Sequence, residues 1–323
     1  MRIVVPAGGI GGARFLRGLR AVLADRADSH GNEPSITVIG NTGDDITLFG
    51  LRICPDLDTV MYTLGGGINE SQGWGRADET FVVKEELLSY GMQPTWFGLG
   101  DRDVATHIVR SQMMAAGYSL SAVTEALCDR WRPGVRLLPM TDDRVETHVL
   151  VEDGEGRRAI HFQEWWIRHR ATLSASEIVL VGAEDAEPAP GVLEEIAEAD
   201  VVLLPPSNPV VSIGSVLNVP GIRQALQDAT VVGVSPIIGG TAVRGMADAC
   251  LAAINVESTA RAVAEHYGPD LLDGWLVDEA DADTQVKGID VRSRPLYMSD
   301  ADSTAAIARA ALDLALELKG RQS

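Results

Sequence analysis

The sequence predicts an α/β fold in which helices cover both faces of a mostly parallel sheet. Short aliphatic runs alternate along the chain with segments of helical periodicity, which is the pattern that such sheets produce. The composition agrees, because 46% of the 323 residues are hydrophobic and only 5% are aromatic, as in cores of valine, isoleucine, leucine and alanine. We therefore expect one Rossmann-like domain that spans residues 1–323.

The amino terminus predicts a strand, a glycine turn and a helix. Arg2–Val5 is apolar, Ala7–Gly12 is rich in glycine, and Ala13–Leu23 repeats leucine and valine at helical spacing. Glycines let backbone N–H groups approach phosphate oxygens at the positive end of a helix. The residues expected to bind phosphate are Gly8, Gly9, Gly11, Gly12 and Arg14. The alternative is a tight turn that only packs the helix on the strand.

This glycine turn departs from two common phosphate-binding motifs. Arg14 occupies the third glycine position of a dinucleotide fingerprint, which disfavours an NAD-dependent enzyme. The chain has no Gly-Lys-Ser or Gly-Lys-Thr step of a Walker A loop, which disfavours a nucleoside triphosphate hydrolase. We expect Arg14 instead to pair with a diphosphate from the first turn of the helix.

A dense group of carboxylates follows the second predicted strand. That strand is Ser35–Ile39, and four aspartates lie in the segments Asn41–Asp45 and Pro55–Thr59. Open α/β sheets bind their ligands at the carboxyl ends of strands. Crowded carboxylates repel one another unless a cation or a proton intervenes, which predicts Mg²⁺ bound to phosphate. The alternative is that these aspartates only cap helices and form turns.

The middle of the chain predicts an inserted subdomain over the site, at about residues 101–170. Two helical stretches there precede a hairpin-like pair of strands. These segments lie at 104–116, 120–130, 146–152 and 159–166. Asp103 and His107 are spaced to share one face of the first helix. His107 could act as a general base or bind a substrate, and the alternative is a histidine that only packs the helix.

The remaining predicted strands are short aliphatic runs. They are Trp96–Leu99, Ile178–Gly182, Asp200–Leu204 and Thr230–Val234. Polar groups follow the last two of these strands, in Pro205–Pro209 and at Ser235, and Arg244 comes a few residues later. Hydroxyl and amide groups at strand ends suit nucleotide recognition. The alternative is a turn stiffened by proline.

Charge and cysteine content limit the expected partners. A formal net charge of −19 argues against nucleic acid and against anionic membrane surfaces, because both require basic footprints. The three cysteines are far apart and lack metal-binding spacing, which favours a reducing cytoplasm. No uninterrupted apolar run reaches ~18 residues, so we expect no membrane span. We expect a cytoplasmic homodimer that acts on small molecules.

Nine motifs along the chain resemble those of the CofD/FbiA family of phospholactate-type transferases. They are Gly8–Gly12, Gly43–Asp45, Pro55–Thr59, Met61–Leu64, Leu99–His107, His161–Glu164, Pro206–Gly214, Ser235–Gly239 and Arg244–Ala247. The resemblance runs in order from Met1 to about Met298. The glycine turn and Phe162–Trp166 are most similar to the actinobacterial branch, FbiA.

The resemblance implies a step in the biosynthesis of coenzyme F(420). The family joins a guanosine-diphosphate-activated three-carbon acid to the deazaflavin FO (7,8-didemethyl-8-hydroxy-5-deazariboflavin), releases GMP and uses Mg²⁺. The FbiA branch takes enolpyruvyl-diphospho-5′-guanosine, which gives dehydro coenzyme F(420)-0. Lactyl-diphospho-guanosine is the alternative donor. A second alternative is a YvcK-like regulator that binds a nucleotide sugar without catalysis, although Pro55–Thr59 together with Leu99–Asp103 favours the transferase.

The resemblance also implies roles for particular residues. Asp45 and Asp58 are expected to be catalytic and to bind the metal, with Asp44 and Asp56 as further candidates. The residues expected to hold the guanosine diphosphate portion are Gly8, Gly9, Gly11, Gly12, Arg14, Ser207, Asn208, Ser212 and Ser235. The residues expected on the FO side are Asp58, Thr59, Asp101, Arg102 and His107.

Overall fold

The computed structural model of the chain describes residues 1–24, 33–154, 156–243 and 245–322, so Arg244 lies outside the described residues. The strands are β1 (Arg2–Ala7), β2 (Ser35–Gly40), β3 (Ile46–Leu48), β4 (Leu51–Ile53), β5 (Arg136–Pro139), β6 (Glu146–Asp153), β7 (Gly156–His161), β8 (Ala175–Val181), β9 (Val201–Leu204), β10 (Val231–Val234), β11 (Ile237–Ile238), β12 (Thr241–Ala242), β13 (Gly274–Val277) and β14 (Asp290–Ser293). The α-helices are α1 (Gly9–Leu23), α2 (Pro55–Leu64), α3 (Val82–Ser89), α4 (Asp101–Ala115), α5 (Leu120–Trp131), α6 (Val192–Ala197), α7 (Ile213–Asn218), α8 (Ile222–Gln227), α9 (Ala247–Ala253), α10 (Ala260–Tyr267) and α11 (Ala301–Gln322). A short π-helix covers Glu164–Arg168.

The central sheet of the described residues has seven strands in the order β5-β2-β1-β9-β10-β13-β14. Every neighbouring pair in this sheet is parallel. The chain first builds outward from β1 on one side and then continues with β9 on the other, so the strand order reverses between β1 and β9. This is the strand arrangement of a Rossmann-like fold, and the predicted fold class is confirmed.

Helices on both faces bury the central sheet. Side chains alternate along β1, so that Ile3 and Val5 join the core on one face and Val4 joins the core on the other. The first core also receives residues of α1, α2, α5 and α11, and the second receives residues of α6, α7, α8 and α10. Because both faces are covered, the strands read as continuous aliphatic runs in the sequence.

A smaller antiparallel sheet, in the order β7-β6-β8, stands beside the central one. The segment predicted as an insertion, residues 101–170, contains α4, α5, β6 and β7, but also β5, which is an edge strand of the central sheet. The third strand of the small sheet, β8, comes from beyond that segment. The described structure thus interleaves this region with the central sheet.

One predicted strand lies in a different sheet from the central one, and a second is not a strand. Ile178–Gly182 falls mainly in β8, which pairs antiparallel with β6 and has no buried residue, whereas a central parallel strand would be buried on both faces. Trp96–Leu99 is not a strand. Its Phe97 and Leu99 are apolar because they pack against β3, β4 and α4 in a separate small core.

Candidate active site

A cavity of about 660 Å³ opens at the carboxyl edge of the central sheet, where the strand order reverses. Open α/β sheets bind their ligands at this point. The loops that follow β1 and β9 form one part of the wall, and residues of α2, α4 and the segment Trp74–Leu99 form much of the rest. The wall brings together many of the predicted site residues: Gly8, Gly9, Gly11, Asp58, Thr59, His107, Ser207, Asn208 and Ser212.

Other predicted site residues lie away from the cavity wall. They are Gly12, Arg14, Asp45, Asp101, Arg102 and Ser235. Arg14 is half-buried on α1, and Arg102 is exposed at the start of α4. Ser235 closes the turn that follows β10, because its hydroxyl donates to the Ile237 carbonyl at 2.8 Å and accepts from the Ile237 N–H at 3.1 Å.

The glycine turn is shorter than the sequence predicts, because α1 begins at Gly9 and not at Ala13. Gly9 adopts a φ of +61°, which favours glycine. A Cβ on Gly8 would lie 2.4 Å from Asp56 Oδ2, and a Cβ on Gly11 would lie 2.4 Å from the Pro206 carbonyl oxygen. Glycine is therefore required here so that α2 and the loop after β9 can approach the turn closely.

Asp44 and Asp56 form a buried acid pair on the cavity wall. Asn41 Nδ2 donates to Asp56 Oδ2 at 2.9 Å, and the Gly9 N–H also donates to this carboxylate. Burial and the charge of Asp56 raise the pKa of Asp44 well above its usual value, and burial raises the pKa of Asp56 to about 6. Asp44 Oδ1 has no hydrogen-bond partner among the described residues. Such a pair suits a hard cation held by oxygen ligands.

Asp45 is completely buried and points away from the cavity. Its Oδ2 lies 3.3 Å from Arg52 Nη2, and neither carboxylate oxygen has a hydrogen-bond partner among the described residues. Burial outweighs the charge of Arg52 and raises the pKa of Asp45 to about 7. The structure therefore gives this aspartate an arginine as its counter-charge.

Asp58 is held by a buried arginine that the sequence reasoning missed. Arg110 Nη1 donates to Asp58 Oδ2 at 3.0 Å, and Nη2 donates to the other carboxylate oxygen. Arg110 is 1% exposed, and burial by itself would lower the pKa of its guanidinium. The negative charge of Asp58 outweighs this effect, so the pKa is raised. Both Asp58 oxygens are thus engaged. The missed signal is spacing, because Asp103, His107 and Arg110 share one face of α4.

His107 connects Arg110 to Asp103. Its Nδ1 lies 3.2 Å from Arg110 Nη1, and its Nε2 lies 3.4 Å from Asp103 Oδ2. Because a guanidinium only donates, a hydrogen bond between these two groups requires Nδ1 to accept, and Nε2 is then the ring nitrogen that faces Asp103. Tyr62 donates its hydroxyl to Asp103 Oδ1 at 2.7 Å. Asp58, Asp103 and His107 each offer an atom within 4.8 Å of the others, but a cation there would compete with Arg110.

Asp101 takes part in a reciprocal clasp between two helices. Its carboxylate accepts from the Thr80 hydroxyl at 2.6 Å and from two N–H groups in the first turn of α3. In return, the Glu79 carboxylate accepts two N–H groups in the first turn of α4, each at 2.8 Å. Asp101, in the first turn of α4, thus satisfies free N–H groups at the start of α3, and Glu79, just before α3, satisfies those at the start of α4. The clasp therefore joins α3, which borders the cavity, to α4.

Comparison with known proteins identifies the family to which the chain belongs. The sequence matches the family model described as 2-phospho-L-lactate transferase CofD over residues 3–310. The chain belongs to the CofD family. A phosphoenolpyruvate transferase of Thermobifida fusca is 76% identical over 321 residues, which cover 99% of this chain and 100% of that protein. A phosphoenolpyruvate transferase of Streptomyces coelicolor is 70% identical over 326 residues, which cover 99% of each chain.

These relatives confirm the predicted resemblance to CofD and FbiA, and this CofD-family chain is a transferase. A solved structure has the same fold: a Bacillus halodurans protein of the upf0052 family aligns with a TM-score of 0.60 at 18% identity, covering 96% of this chain and 99% of the other. Within the described residues, no helix is both long enough and apolar enough to span a membrane.

Proposed function

We propose that the chain is a Mg²⁺-dependent enzyme that transfers the phosphoenolpyruvyl group from enolpyruvyl-diphospho-5′-guanosine to FO. The products are dehydro coenzyme F(420)-0 and GMP, so the reaction belongs to the biosynthesis of coenzyme F(420). Relatives that are 76% and 70% identical carry the name phosphoenolpyruvate transferase, which supports the enolpyruvyl donor. The same reaction with lactyl-diphospho-guanosine is the second candidate.

The observation that carries this proposal is the acid pair beside the glycine turn. Ser207, Asn208 and Ser212 line the same part of the cavity and would hold the guanosine diphosphate portion. Asp44 and Asp56 would bind Mg²⁺, which neutralises charge on a diphosphate and on the leaving GMP. Asp44 and Asp56 therefore replace Asp45 and Asp58 as the proposed direct metal ligands, because Asp45 faces Arg52 and Asp58 faces Arg110.

The acceptor would lie beside Asp58, Thr59, Asp103 and His107, which line the cavity on α2 and α4. A primary hydroxyl of the ribityl chain attacks the phosphorus that bears the enolpyruvyl group. The new oxygen–phosphorus bond replaces the bond to GMP, and the hydroxyl proton passes to a carboxylate, for which Asp58 is our candidate. Displacement of this kind needs alignment and charge neutralisation and no covalent enzyme intermediate.

The test is a direct assay of transfer. Purified protein is incubated with FO, Mg²⁺ and each of the two donors, and the products are identified by mass. We expect dehydro coenzyme F(420)-0 and GMP from the enolpyruvyl donor, and at least about a hundredfold slower transfer by Asp56→Asn. Product from the lactyl donor alone would correct the donor. No product from either donor, together with tight binding of a UDP-sugar, would favour the YvcK-like regulator.

A further inference from the structure

We propose that Lys84, together with the aromatic side chains of the segment Trp74–Leu99, binds the deazaflavin ring of FO in its anionic form. The ring hydroxyl would be deprotonated, and its charge would face the Lys84 ammonium. This inference deepens the proposed function and rests on it, because it assigns a subsite and a protonation state to the proposed acceptor.

The first support is the charge of the cavity wall. Lys84 is the single lysine or arginine among the described residues that line the cavity. The other ionisable groups on the described wall are acidic or imidazole, apart from the Tyr62 hydroxyl: Asp44, Asp56, Asp58, Asp103 and His107. The Lys84 side chain forms no ion pair or hydrogen bond with a described residue, and its Nζ lies 3.5 Å from the place of a Cβ on Gly98. A bound ligand that carries a negative charge would complete this site.

The second support is the surface around Lys84. Trp74, Phe81 and Trp96 lie on the same segment and also line the cavity, and Trp166 lines it from the π-helix. Trp74 is 49% exposed and Phe81 is 41% exposed. Large aromatic side chains left uncovered on a cavity wall favour a flat, apolar ligand that stacks on them. The ligand expected beside Lys84 is therefore a planar ring that also carries a negative charge.

FO has both properties. Its 8-hydroxyl is a phenol conjugated with the carbonyl groups of the ring system, so the charge of the anion is spread over the heterocycle. A hydrogen bond between ammonium and phenolate is stronger than one between neutral groups. The phosphates of the donor would meet the glycine turn and the Asp44–Asp56 pair, and they would gain nothing from the aromatic surface. The chemistry therefore favours the acceptor ring at Lys84 over the donor.

The experiment compares Lys84→Met with Lys287→Met as a matched control, because Lys287 is exposed and lies outside the cavity wall. FO binding is followed by fluorescence at one pH below and one pH above the ionisation of the free ring hydroxyl, and the absorption spectrum of bound FO reports its protonation state. We expect wild type and Lys287→Met to favour the anion. Lys84→Met should bind FO about 10- to 100-fold more weakly at the higher pH and should lose the preference for the anion.

A further variant, Lys84→Arg, keeps the charge and should retain most of the preference for the anion. Wild-type affinity and an unchanged spectrum in Lys84→Met would overturn the inference while the proposed function stands. Weaker binding of the donor or GDP, with FO binding unchanged, would also overturn it and would assign Lys84 to the donor. Failure of the wild-type protein to bind FO at all would overturn the proposed function itself.

Discussion

Replacing Asp56 by asparagine should stabilise the metal-free protein while it removes activity. The pKa of Asp56 is raised from 3.8 to about 6, and burial is the largest cause. Each pKa unit corresponds to ~1.36 kcal/mol, so the ionised carboxylate costs the fold about 3 kcal/mol relative to a neutral side chain. Asparagine has nearly the same shape, and its carbonyl oxygen can still accept the hydrogen bond from Asn41. The variant should therefore recover much of this free energy.

The raised pKa of Asp56 determines how its contribution to the stability of the fold changes with pH. Because the folded state holds the Asp56 proton more tightly than the unfolded state, the contribution of Asp56 to stability falls as the pH rises from 3.8 to about 6. Above about pH 6 both states are ionised and the full penalty is present. The stability advantage of Asp56→Asn should thus be larger at pH 8 than at pH 5.

The assay is thermal unfolding of both proteins in a chelator at the two pH values, followed by unfolding with Mg²⁺ and GDP. An advantage of about 3 kcal/mol corresponds to a rise in Tm of at least several degrees for a domain of this size. Mg²⁺ with GDP should raise the Tm of wild type more than that of the variant, because a ligand stabilises only the state that binds it. A variant that unfolds below wild type at pH 8 in chelator, or that retains normal turnover, would refute the reasoning.

Two further predictions concern side chains that hold the acceptor side together. Arg110→Met should lower the free energy of unfolding by about 3–5 kcal/mol, because it leaves the Asp58 carboxylate buried without its partner; urea unfolding tests this, and a loss below 1 kcal/mol would contradict it. Asp101→Asn should weaken the clasp and raise the KM for FO roughly three- to tenfold with a smaller change in kcat. Faster amide exchange in α3, compared with α8 as an internal control, should accompany it, and unchanged exchange would argue against the clasp.

The hydrophobic periodicity of the sequence predicted those strands and helices whose residue types are determined by burial alone. β1 and β9 are central strands covered on both faces, so their aliphatic runs were recognised. Aliphatic character does not reveal the partner of a strand, however. β8 therefore looked like another central strand, although it pairs with β6 at the side of the molecule. Pairing depends on contacts between distant segments, which local sequence does not encode.

The sequence predicted where the candidate site lies, but it did not predict which way the side chains of the site point. The carboxyl ends of β1, β2 and β9 were recognised, and these ends do border the cavity. Adjacent aspartates look alike in the sequence, yet Asp44 lines the cavity and Asp45 is buried against Arg52. Asp101 was expected on the FO side, whereas its carboxylate is engaged by Thr80 and α3. The bound metal, the cytoplasmic location and the homodimer stay predictions.

The counter-charges of the aspartates explain how so acidic a chain could bind a diphosphate. Asp45 and Asp58 are paired with Arg52 and Arg110, so the protein itself neutralises these two carboxylates. The Asp44–Asp56 pair receives neutral donors, Asn41 and the Gly9 N–H, and has no arginine or lysine as its partner among the described ion pairs. A diphosphate would be repelled by this pair unless a divalent cation lay between them. Metal and nucleotide should therefore bind more tightly together than either binds alone, with the same coupling measured from both directions.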